Sequence, residues 1–520
     1  MLVAIAAVVV IAAPAKAAEV IVVDGGRAKR IQDPAVPTKA EVALGMPVGD
    51  RDPLGLRAGA ARAGVARSSS RPDARAARAW RVARSSSRRG RRAVYASLRR
   101  ELGRAKITTS SSRRWRRSYV LSLRALRKLS GARDAQLRYV VNSVEALALA
   151  RRLTPTRMPA SFLQLERNRQ YWRKLPYPAS GDQVSFRGSQ ILFQYYPGRG
   201  LQLQPLSTFK KANALHGFCE RGEAACDEAA LRRILDEMTA LAVKRSRRFI
   251  AWEYLFYFGG GSPPWMSGMA QATGIQALGR ASQLLDEPAY LRTARRALGA
   301  FETAPPRGVR TTGPAGGVHY LQYSFAPRLW IFNAFLQSLI GLHDYAKIAG
   351  DGRAQRLYDQ AEPEAREEVP LSDVGDWSRY SYAGAESTSD YHELLRELLQ
   401  SMCSRRLGAI YCTYAKRYRG YQVDPPHLTF VGPSLASEDR PTAIRFTLSK
   451  LSAVELTISR GDSVVFSRLA TFRRGSGSFA WTPRGPGVVD VTIAAKELRT
   501  GLGKKDRVRG EIEVEGVPGQ

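Results

Sequence analysis

The sequence predicts a multidomain, mainly α-helical protein. Its central domain is expected to be an α/α toroid (partial barrel) that follows an irregular β region, and an immunoglobulin-like β-sandwich is expected at the C-terminal end. Three observations predict this. At 520 residues the chain is too long for one ordinary core. Apolar residues recur at helical spacing in a series of central segments, and the tail alternates with the period of a strand.

The first seventeen residues (1–17) predict a secretory signal peptide. Their apolar run ends in Ala15-Lys16-Ala17, a small-x-small cleavage pattern, and it is too short to span a bilayer comfortably. The usual basic stretch ahead of the run is missing, and an uncleaved anchor is the alternative. No later stretch is long and apolar enough to cross a membrane, so we expect an exported protein, either secreted or associated with the cell envelope.

Residues 18–90 are rich in Ala, Arg, Gly, Pro and Ser without a helical or strand period, which predicts a disordered linker. The formal net charge is +35, and residues 51–150 hold 26 arginines and lysines against five acids. Such a run favours a polyanionic partner. Aromatic stacking residues are scarce and no nucleic-acid-binding fold is recognisable, so we expect an anionic polysaccharide and no nucleic acid. An acidic envelope surface is a second partner that this basic arm suits.

Helical spacing begins near the end of this arm. Residues 91–155 predict two or three basic amphipathic helices. Residues 156–425 form the predicted central domain, whose first part, 156–200, is broken by Pro and Gly and predicts irregular strands and loops. Helices in succession without strands then favour a toroid whose inner helices ring a cleft. These helices are predicted at 226–247, 266–285, 288–303, 329–349, 352–367 and 390–405.

The tail, residues 426–520, contains pieces such as AVELTISR and VVDVTIAA separated by turn residues about every ten positions. This pattern predicts the immunoglobulin-like sandwich, with a role in interaction or spacing. The four cysteines form two close pairs, Cys219 with Cys226 and Cys403 with Cys412. We expect each pair to form a local disulfide, although four cysteines allow three connectivities. A zinc site would need shorter C-x-x-C spacings, so a metal is the weaker interpretation and no metal ligands are assigned.

A glycine-rich stretch, FGGGSPPWMSG, precedes the second predicted central helix. It lacks the lysine of a P-loop, and Pro263 and Pro264 remove backbone N–H groups that would bind phosphate. The prolines instead stiffen the approach to the helix and place Trp265 at its start. An indole there could be a platform for a sugar ring or could pack against the core, and the sequence leaves both open.

Several segments resemble the D-glucuronyl C5-epimerase family, which acts on heparan sulfate-like polysaccharides. PPWMSGMAQATGIQALGRA is similar to a helix start of that family, and FNAFLQSLIGLHDYAKIAGD is similar to a later helix. FQYYPGRGLQLQPLSTFKKAN resembles the strands ahead of the helices. Asp373-Val374-Gly375 followed by Tyr380, and Asp390-Tyr391-His392, fit the closing segment. The resemblance runs from about residue 190 to 420 in preserved order.

The resemblance implies a cofactor-independent isomerase that inverts C5 of D-glucuronate in a polysaccharide. One group must remove the weakly acidic C5 proton, and another must return a proton on the opposite face. Three tyrosines fall on family active-site positions: Tyr380 and Tyr391 as acid and base, with Tyr323 in the same cleft. A tyrosine suits this chemistry if a neighbouring cation lowers its pKa. Packing with a satisfied hydroxyl is the alternative for each.

Two positions depart from the family. Gln322 stands where the family has a glutamate, and Ala383 stands where it has an arginine. The substrate carboxylate would then need another cation, for which Arg379, Arg328 and Arg199 are candidates. Further candidates for substrate contact are Trp265, Gln202 and His392. Packing is an equal alternative for Trp265 and Gln202, and a lone histidine on a helix is more often a structural hydrogen-bonding residue.

Three functions remain in competition. An epimerase is the leading expectation. A uronate polysaccharide lyase would form the same carbanion but expel the 4-O substituent. A catalytically silent glycan-binding protein would explain Gln322, Ala383 and the basic arm. The sequence leaves open whether the protein forms a homodimer.

Overall fold

The computed structural model describes residues 17–42, 87–246 and 249–516. The chain divides into two units, with the boundary after Glu367. The predicted signal peptide, apart from Ala17, and positions 43–86 of the predicted linker lie outside the described residues. None of the helices in the described ranges is long and apolar enough to reach across a bilayer.

A five-stranded sheet in the first unit has the order β2-β1-β3-β4-β5. The first two strands form a hairpin, and β1 also runs parallel to β3, pairing Val20 with Gln183. The prediction of a disordered linker is therefore wrong over the hairpin, because its partner strand lies some 160 residues away and leaves no local signal. The strands are β1 (Ala18–Asp24), β2 (Arg27–Asp33), β3 (Gln183–Phe186), β4 (Phe193–Tyr196) and β5 (Gly200–Leu203).

Helices make up most of the first unit, and two short hairpins connect some of them. The last helix continues across the boundary into the second unit. The helices are α1 (Lys39–Val42), α2 (Ser87–Gly103), α3 (Thr109–Leu126), α4 (Gly131–Leu149), α5 (Met158–Trp172), α6 (Pro205–Glu220), α7 (Glu228–Leu241), α8 (Gly268–Leu284), α9 (Pro288–Ala297), α10 (Gly299–Glu302), α11 (Phe332–Ala349) and α12 (Gly352–Leu371). The hairpins are β6 (Val243–Lys244) with β7 (Ile250–Ala251), and β8 (Arg310–Thr312) with β9 (Val318–Tyr320).

Each predicted central helix has a counterpart, but the helix predicted at 288–303 is divided into α9 and α10, and the one predicted at 226–247 ends at Leu241. Helices α8 and α11 pack very closely, because a Cβ added at Gly341 would lie 2.5 Å from the Ala272 carbonyl oxygen. Two or three basic helices are expected over 91–155, and the structure has three, α2, α3 and α4, of which α2 begins at Ser87. The prediction of irregular strands and loops over 156–200 is wrong for residues 158–172, which form helix α5. This helix is buried around most of its circumference and includes buried Gln164 and Asn168, so it shows no clear apolar stripe.

The second unit begins with a helical pair, α13 (Ser389–Ser404) and α14 (Ala409–Val423). Two open sheets follow, with orders β10-β12-β15 and β11-β17-β16-β13-β14. Inward-facing side chains of both sheets, among them Phe446, Trp481 and Ile493, form one apolar core. The strands are β10 (Leu428–Gly432), β11 (Leu435–Ser437), β12 (Thr442–Leu448), β13 (Ser452–Arg460), β14 (Ser463–Phe472), β15 (Gly475–Trp481), β16 (Gly487–Glu497) and β17 (Lys505–Glu515).

Both expected disulfides are formed. Cys219 in α6 is joined to Cys226 with an S–S distance of 2.05 Å. Cys403 in α13 is joined to Cys412 in α14 with an S–S distance of 2.03 Å. Each bond fastens the end of a helix to the segment that follows it.

Candidate active site

Tyr380 and Tyr391 lie side by side in the second unit. Their ring centroids are 4.7 Å apart and their planes are inclined by 56°. Tyr380 belongs to a tight hairpin, where its backbone N–H donates to the Ala385 carbonyl at 3.0 Å. Tyr391 lies in the first turn of α13. The hairpin and the helix start therefore bring two phenols together that are eleven positions apart in the sequence.

The Tyr391 phenol is a neutral proton donor in this setting. Burial raises its pKa well above the usual range, and neighbouring Tyr380 and Asp390 raise it further because a phenolate there would face their negative charge. Tyr391 suits proton donation in this environment, whereas proton abstraction would require a cation near the oxygen.

Arg379 is the predicted cation that lies on the same hairpin. Its guanidinium donates to the Gly384 carbonyl at 3.2 Å, which holds the side chain across the turn. A guanidinium has five N–H donors, so this bond leaves others for an anion. Ala383, at the tip of the turn, is exposed and has a left-handed φ of +51°.

His392 has a structural role here. Its Nε2 donates to the Tyr418 carbonyl at 3.1 Å, and its Nδ1 therefore accepts from the Ser378 hydroxyl at 2.8 Å. The ring stacks on Trp377 with centroids 3.6 Å apart. Burial lowers the pKa of His392 to about 4, so the imidazole is neutral at pH 7. Both ring nitrogens are engaged within the protein, which favours the packing interpretation over substrate contact.

Ion pairs from the connections between the C-terminal strands brace the tyrosine hairpin. Arg499 bonds to Glu386 at 2.8 Å and to Asp376 at 3.2 Å, and its side chain is only 7% exposed. Arg473 bonds to Glu386 at 3.1 Å. Sequence reasoning missed these residues, because more than eighty positions separate each arginine from its partners and no local pattern links them.

Tyr323 belongs to an aromatic cluster in the first unit. It is fully buried, and it packs against the rings of Phe258, Trp265 and Phe325 with centroid distances between 5.3 and 5.7 Å. Trp265 is 1% exposed and stacks on Tyr254 at 4.2 Å with nearly parallel planes. The indole therefore packs in the core, and its faces are not an accessible platform for a sugar.

Gln322 is fixed at the start of α8. Its Oε1 accepts from the Ser267 hydroxyl at 3.1 Å, and the same Ser267 oxygen caps the helix by accepting from the Ala270 N–H at 3.1 Å. The Gly268 N–H donates to the Leu321 carbonyl at 3.0 Å. Two N–H groups at this helix start are thus engaged within the protein. Ser267 is a positioning residue that sequence reasoning missed, although a serine before a helical run is a recognisable capping signal.

Three more predicted residues lie in the first unit. Arg199 is half-buried, and its Cζ lies 6.0 Å from the ring centroid of Phe258, beside the aromatic cluster. Gln202 is fully buried and accepts from the Gln164 amide at 2.8 Å, so it packs rather than faces a ligand. Arg328 is exposed.

The candidate residues therefore form two groups, one in each unit. Tyr380, Tyr391 and Arg379 form the first group, and Tyr323, Gln322 and Arg199 belong to the second. Among the described residues, no three His, Cys, Asp or Glu side chains are arranged to hold a metal ion.

Part of the chain is similar to known proteins. Residues 245–420, which include all three tyrosines, match the D-glucuronyl C5-epimerase C-terminus family. An uncharacterized protein of Methanocaldococcus jannaschii is 25% identical over 190 residues, which cover 35% of this chain and 62% of that protein. D-glucuronyl C5-epimerase of Caenorhabditis elegans is 29% identical over 178 residues, which cover 31% of this chain and 29% of that enzyme. The chain thus spans less than two thirds of either relative.

Among solved structures, a sugar epimerase from a ruminal bacterium aligns with a TM-score of 0.29 and 10% identity, covering 42% of this chain and 59% of that protein. The family match and the C. elegans enzyme agree with the resemblance that the sequence motifs indicated. Residues 245–420 are therefore similar to the D-glucuronyl C5-epimerase C-terminal family.

Proposed function

We propose that the protein is a carbohydrate epimerase that inverts C5 of D-glucuronate residues in an anionic polysaccharide. The observation that carries this proposal is the contact between Tyr380 and Tyr391, 4.7 Å apart within the segment that matches the epimerase family. Two adjacent phenols provide the two proton-transfer groups that an inversion without a cofactor requires.

In the proposed reaction, the Tyr380 phenolate removes the C5 proton, and the electron pair delocalises into the uronate carboxylate. The Tyr391 phenol then protonates C5 from the opposite face, so the carbon configuration is inverted. A final proton transfer from Tyr380 to Tyr391, directly or through solvent, restores both groups. Tyr391 is assigned as the donor because burial raises its pKa.

Arg379 is proposed as the cation that supports this chemistry. It lies next to Tyr380 in the chain, and its bond to the Gly384 carbonyl fixes its orientation. A guanidinium can pair with a carboxylate through two parallel N–H bonds and favours charge on a neighbouring oxygen. Arg379 would thereby replace the arginine that the family resemblance places at Ala383.

The test measures incorporation of deuterium from solvent at C5 of a glucuronate polymer, together with chain length. Epimerase activity incorporates deuterium and leaves the chain intact. Growth of unsaturated-sugar absorbance with chain shortening would instead identify a lyase. A panel of uronate polymers, sulfated and unsulfated, would define the substrate.

Variants assign the residues. We expect Tyr380→Phe and Tyr391→Phe each to slow exchange by about 10²–10⁴-fold, the range for losing a general acid or base. Tyr382→Phe is the matched control because Tyr382 lies on the same hairpin but is 40% exposed. Full activity in both test variants, or loss of activity only in the control, would overturn the tyrosine assignment.

A glycan-binding protein without activity is the second candidate, and the identities of two residues favour it. Gln322 cannot act as a base, and Ala383 carries no charge. This alternative predicts binding to a uronate polymer, no deuterium at C5 with any polymer, and no effect of Tyr391→Phe on binding.

We also propose that the central helices form an α/α toroid and that the strands from Leu428 onward form an immunoglobulin-like module. Export to the extracytoplasmic space is proposed on the basis of the N-terminal apolar run and the two disulfides. Limited proteolysis of native protein with and without reductant, and N-terminal sequencing of the mature chain, would test these proposals.

A further inference from the structure

A basic groove lies between helices α2 and α3, outside the segment that matches the epimerase family. It encloses about 430 Å³ and is lined by Arg88, Arg91, Arg92, Tyr95, Val120, Leu123, Arg124 and Arg127. All five of its arginines are exposed at the rim, whereas Tyr95, Val120 and Leu123 are half-buried on its floor. We propose that this groove binds a linear, carboxylate-bearing polysaccharide.

Charge identifies the class of ligand. Residues 87–126 contain twelve arginines and one acid, Glu101, which pairs with Arg100 at 2.7 Å. Among the residues that the structure describes, no acid is part of its lining. Arg88 and Arg92 are four positions apart on one helix, and Arg124 and Arg127 are three apart. Like charges at these spacings repel each other and destabilise a helix, and a bound anion relieves that cost.

Glu145 of α4 lies under these helices, and its carboxyl interacts electrostatically with Arg91 of the rim. Glu145 of α4 is 1% exposed and accepts a hydrogen bond from the Tyr119 hydroxyl beneath α3. A Cβ added at Gly90 of α2 would collide with the Glu145 carboxyl, so that carboxyl lies directly under the helix rather than in the groove. Arg88, Arg92, Arg124 and Arg127, which the binding test replaces, are exposed at the rim and form a block of positive charge.

The floor favours a sugar chain over a lipid surface. The Tyr95 ring is held edge-on by Tyr119, with centroids 5.8 Å apart, and the Arg116 guanidinium lies 5.6 Å from its centroid. A fixed aromatic ring beside aliphatic side chains suits the C–H face of a pyranose. Insertion into a membrane requires apolar side chains that project outward, whereas Val120 and Leu123 are recessed between the arginines.

This inference rests on the proposed function for the identity of the chain, and it adds a second contact remote in sequence from the tyrosines. A polymer held at both places would remain bound between successive reactions at its uronates. The groove would then act as an anchor, with arginine–carboxylate pairs that weaken as salt rises.

The test uses the full chain and a fluorescently labelled hyaluronan oligosaccharide, a linear glucuronate polymer, with binding measured by anisotropy. We expect R88Q/R92Q/R124Q/R127Q to weaken binding by about tenfold or more, because charged donors to the anion are lost. The control R89Q/R99Q/R113Q/R117Q removes the same charge from exposed positions of the same helices outside the groove. It should bind within about twofold of the parent chain, because charge away from the site contributes little.

Equal weakening in both quadruple variants would overturn the groove and indicate diffuse attraction. Anionic phosphatidylglycerol vesicles and duplex DNA are tested in the same way. If either binds more tightly than hyaluronan, and if only the groove variant loses that binding, the choice of polysaccharide is overturned. Circular dichroism checks folding, and R88Q/R92Q with R124Q/R127Q are the replacements if the quadruple variant does not fold.

The same assay separates this proposal from the proposed function. Tyr391→Phe should bind the polymer as the parent does, and the groove variant should still exchange deuterium into a glucuronate-containing disaccharide. Groove-dependent binding without any deuterium exchange would refute the proposed epimerase activity and would still support the groove as a polysaccharide-binding site.

Discussion

Protonation of His392 should destabilise the second unit as the pH falls from 7 to 5. Its folded pKa is lowered to about 4 by burial, against an ordinary value of 6.5. The folded state binds the proton more weakly than the unfolded state, so the neutral imidazole contributes full stability above pH 6.5. That stability is lost progressively as the pH falls toward 4. Proton linkage with these two values gives a loss of roughly 2 kcal/mol at pH 5.

The assay compares urea unfolding at pH 7 and pH 5 for the parent chain, His392→Gln and His427→Gln. His392→Gln should be less stable at pH 7, because the bonds to Ser378 and Tyr418 change, yet it should lose about 2 kcal/mol less on acidification. His427 is exposed, and His427→Gln controls for the removal of a histidine as such.

Other titrating groups respond to the same acidification. Burial lowers the pKa of His319 to about 3, and Glu386 also has a lowered pKa, since Arg499 and Arg473 outweigh the effect of burial on its carboxyl. These contributions are present in all three proteins and cancel in the comparison. Identical pH dependence in the parent and His392→Gln would refute the reasoning, because the buried imidazole would then titrate as it does in the unfolded chain.

Two ion-pair variants provide further predictions. Glu253 is buried between Arg157, at 2.6 and 2.9 Å, and Arg245, at 3.2 Å, so Glu253→Gln should lower the free energy of unfolding by about 3–5 kcal/mol in a urea titration. A loss below 1 kcal/mol would mean that water reaches these guanidinium groups. Arg499→Gln should lower the free energy of unfolding by about 3 kcal/mol. Because it disturbs the tyrosine hairpin, it should also lower kcat for C5 exchange more than it changes KM. Arg507→Gln, on an exposed strand face, is the control. An unchanged kcat would limit Arg499 to a role in folding.

Local patterns predicted those parts of the fold that depend on neighbouring residues. The amphipathic helices, the strands of the tail and both cysteine pairs were all accessible, because periodicity and short spacing carry that information. The parallel pairing of β1 with β3 was not accessible, since it joins segments that are distant in sequence. Helix α5 was also missed, because residues buried on nearly every side leave no amphipathic stripe.

The candidate site shows the same division. The family motifs pointed to Tyr380 and Tyr391, and the structure places them in contact. Residue type alone did not distinguish ligand contact from packing for Trp265, Gln202 or His392. That distinction depends on burial and on hydrogen bonds to Tyr418, Gln164 and other residues remote in sequence.

The loops between the C-terminal strands have a structural role in the candidate site that spacing or interaction alone would not require. Arg499 pairs with Asp376 and Glu386, which lie on either side of Tyr380 in the chain, and the Leu451 N–H donates to the same Asp376 carboxylate at 3.1 Å. Removing the strands would leave the nearly buried Asp376 carboxylate without the Arg499 guanidinium and the Leu451 N–H. An unpaired buried charge would then destabilise the hairpin. The family match ends at residue 420, yet the hairpin that carries Tyr380 depends on strands beyond it. The tyrosine pair and the C-terminal strands are therefore best regarded as one folding unit.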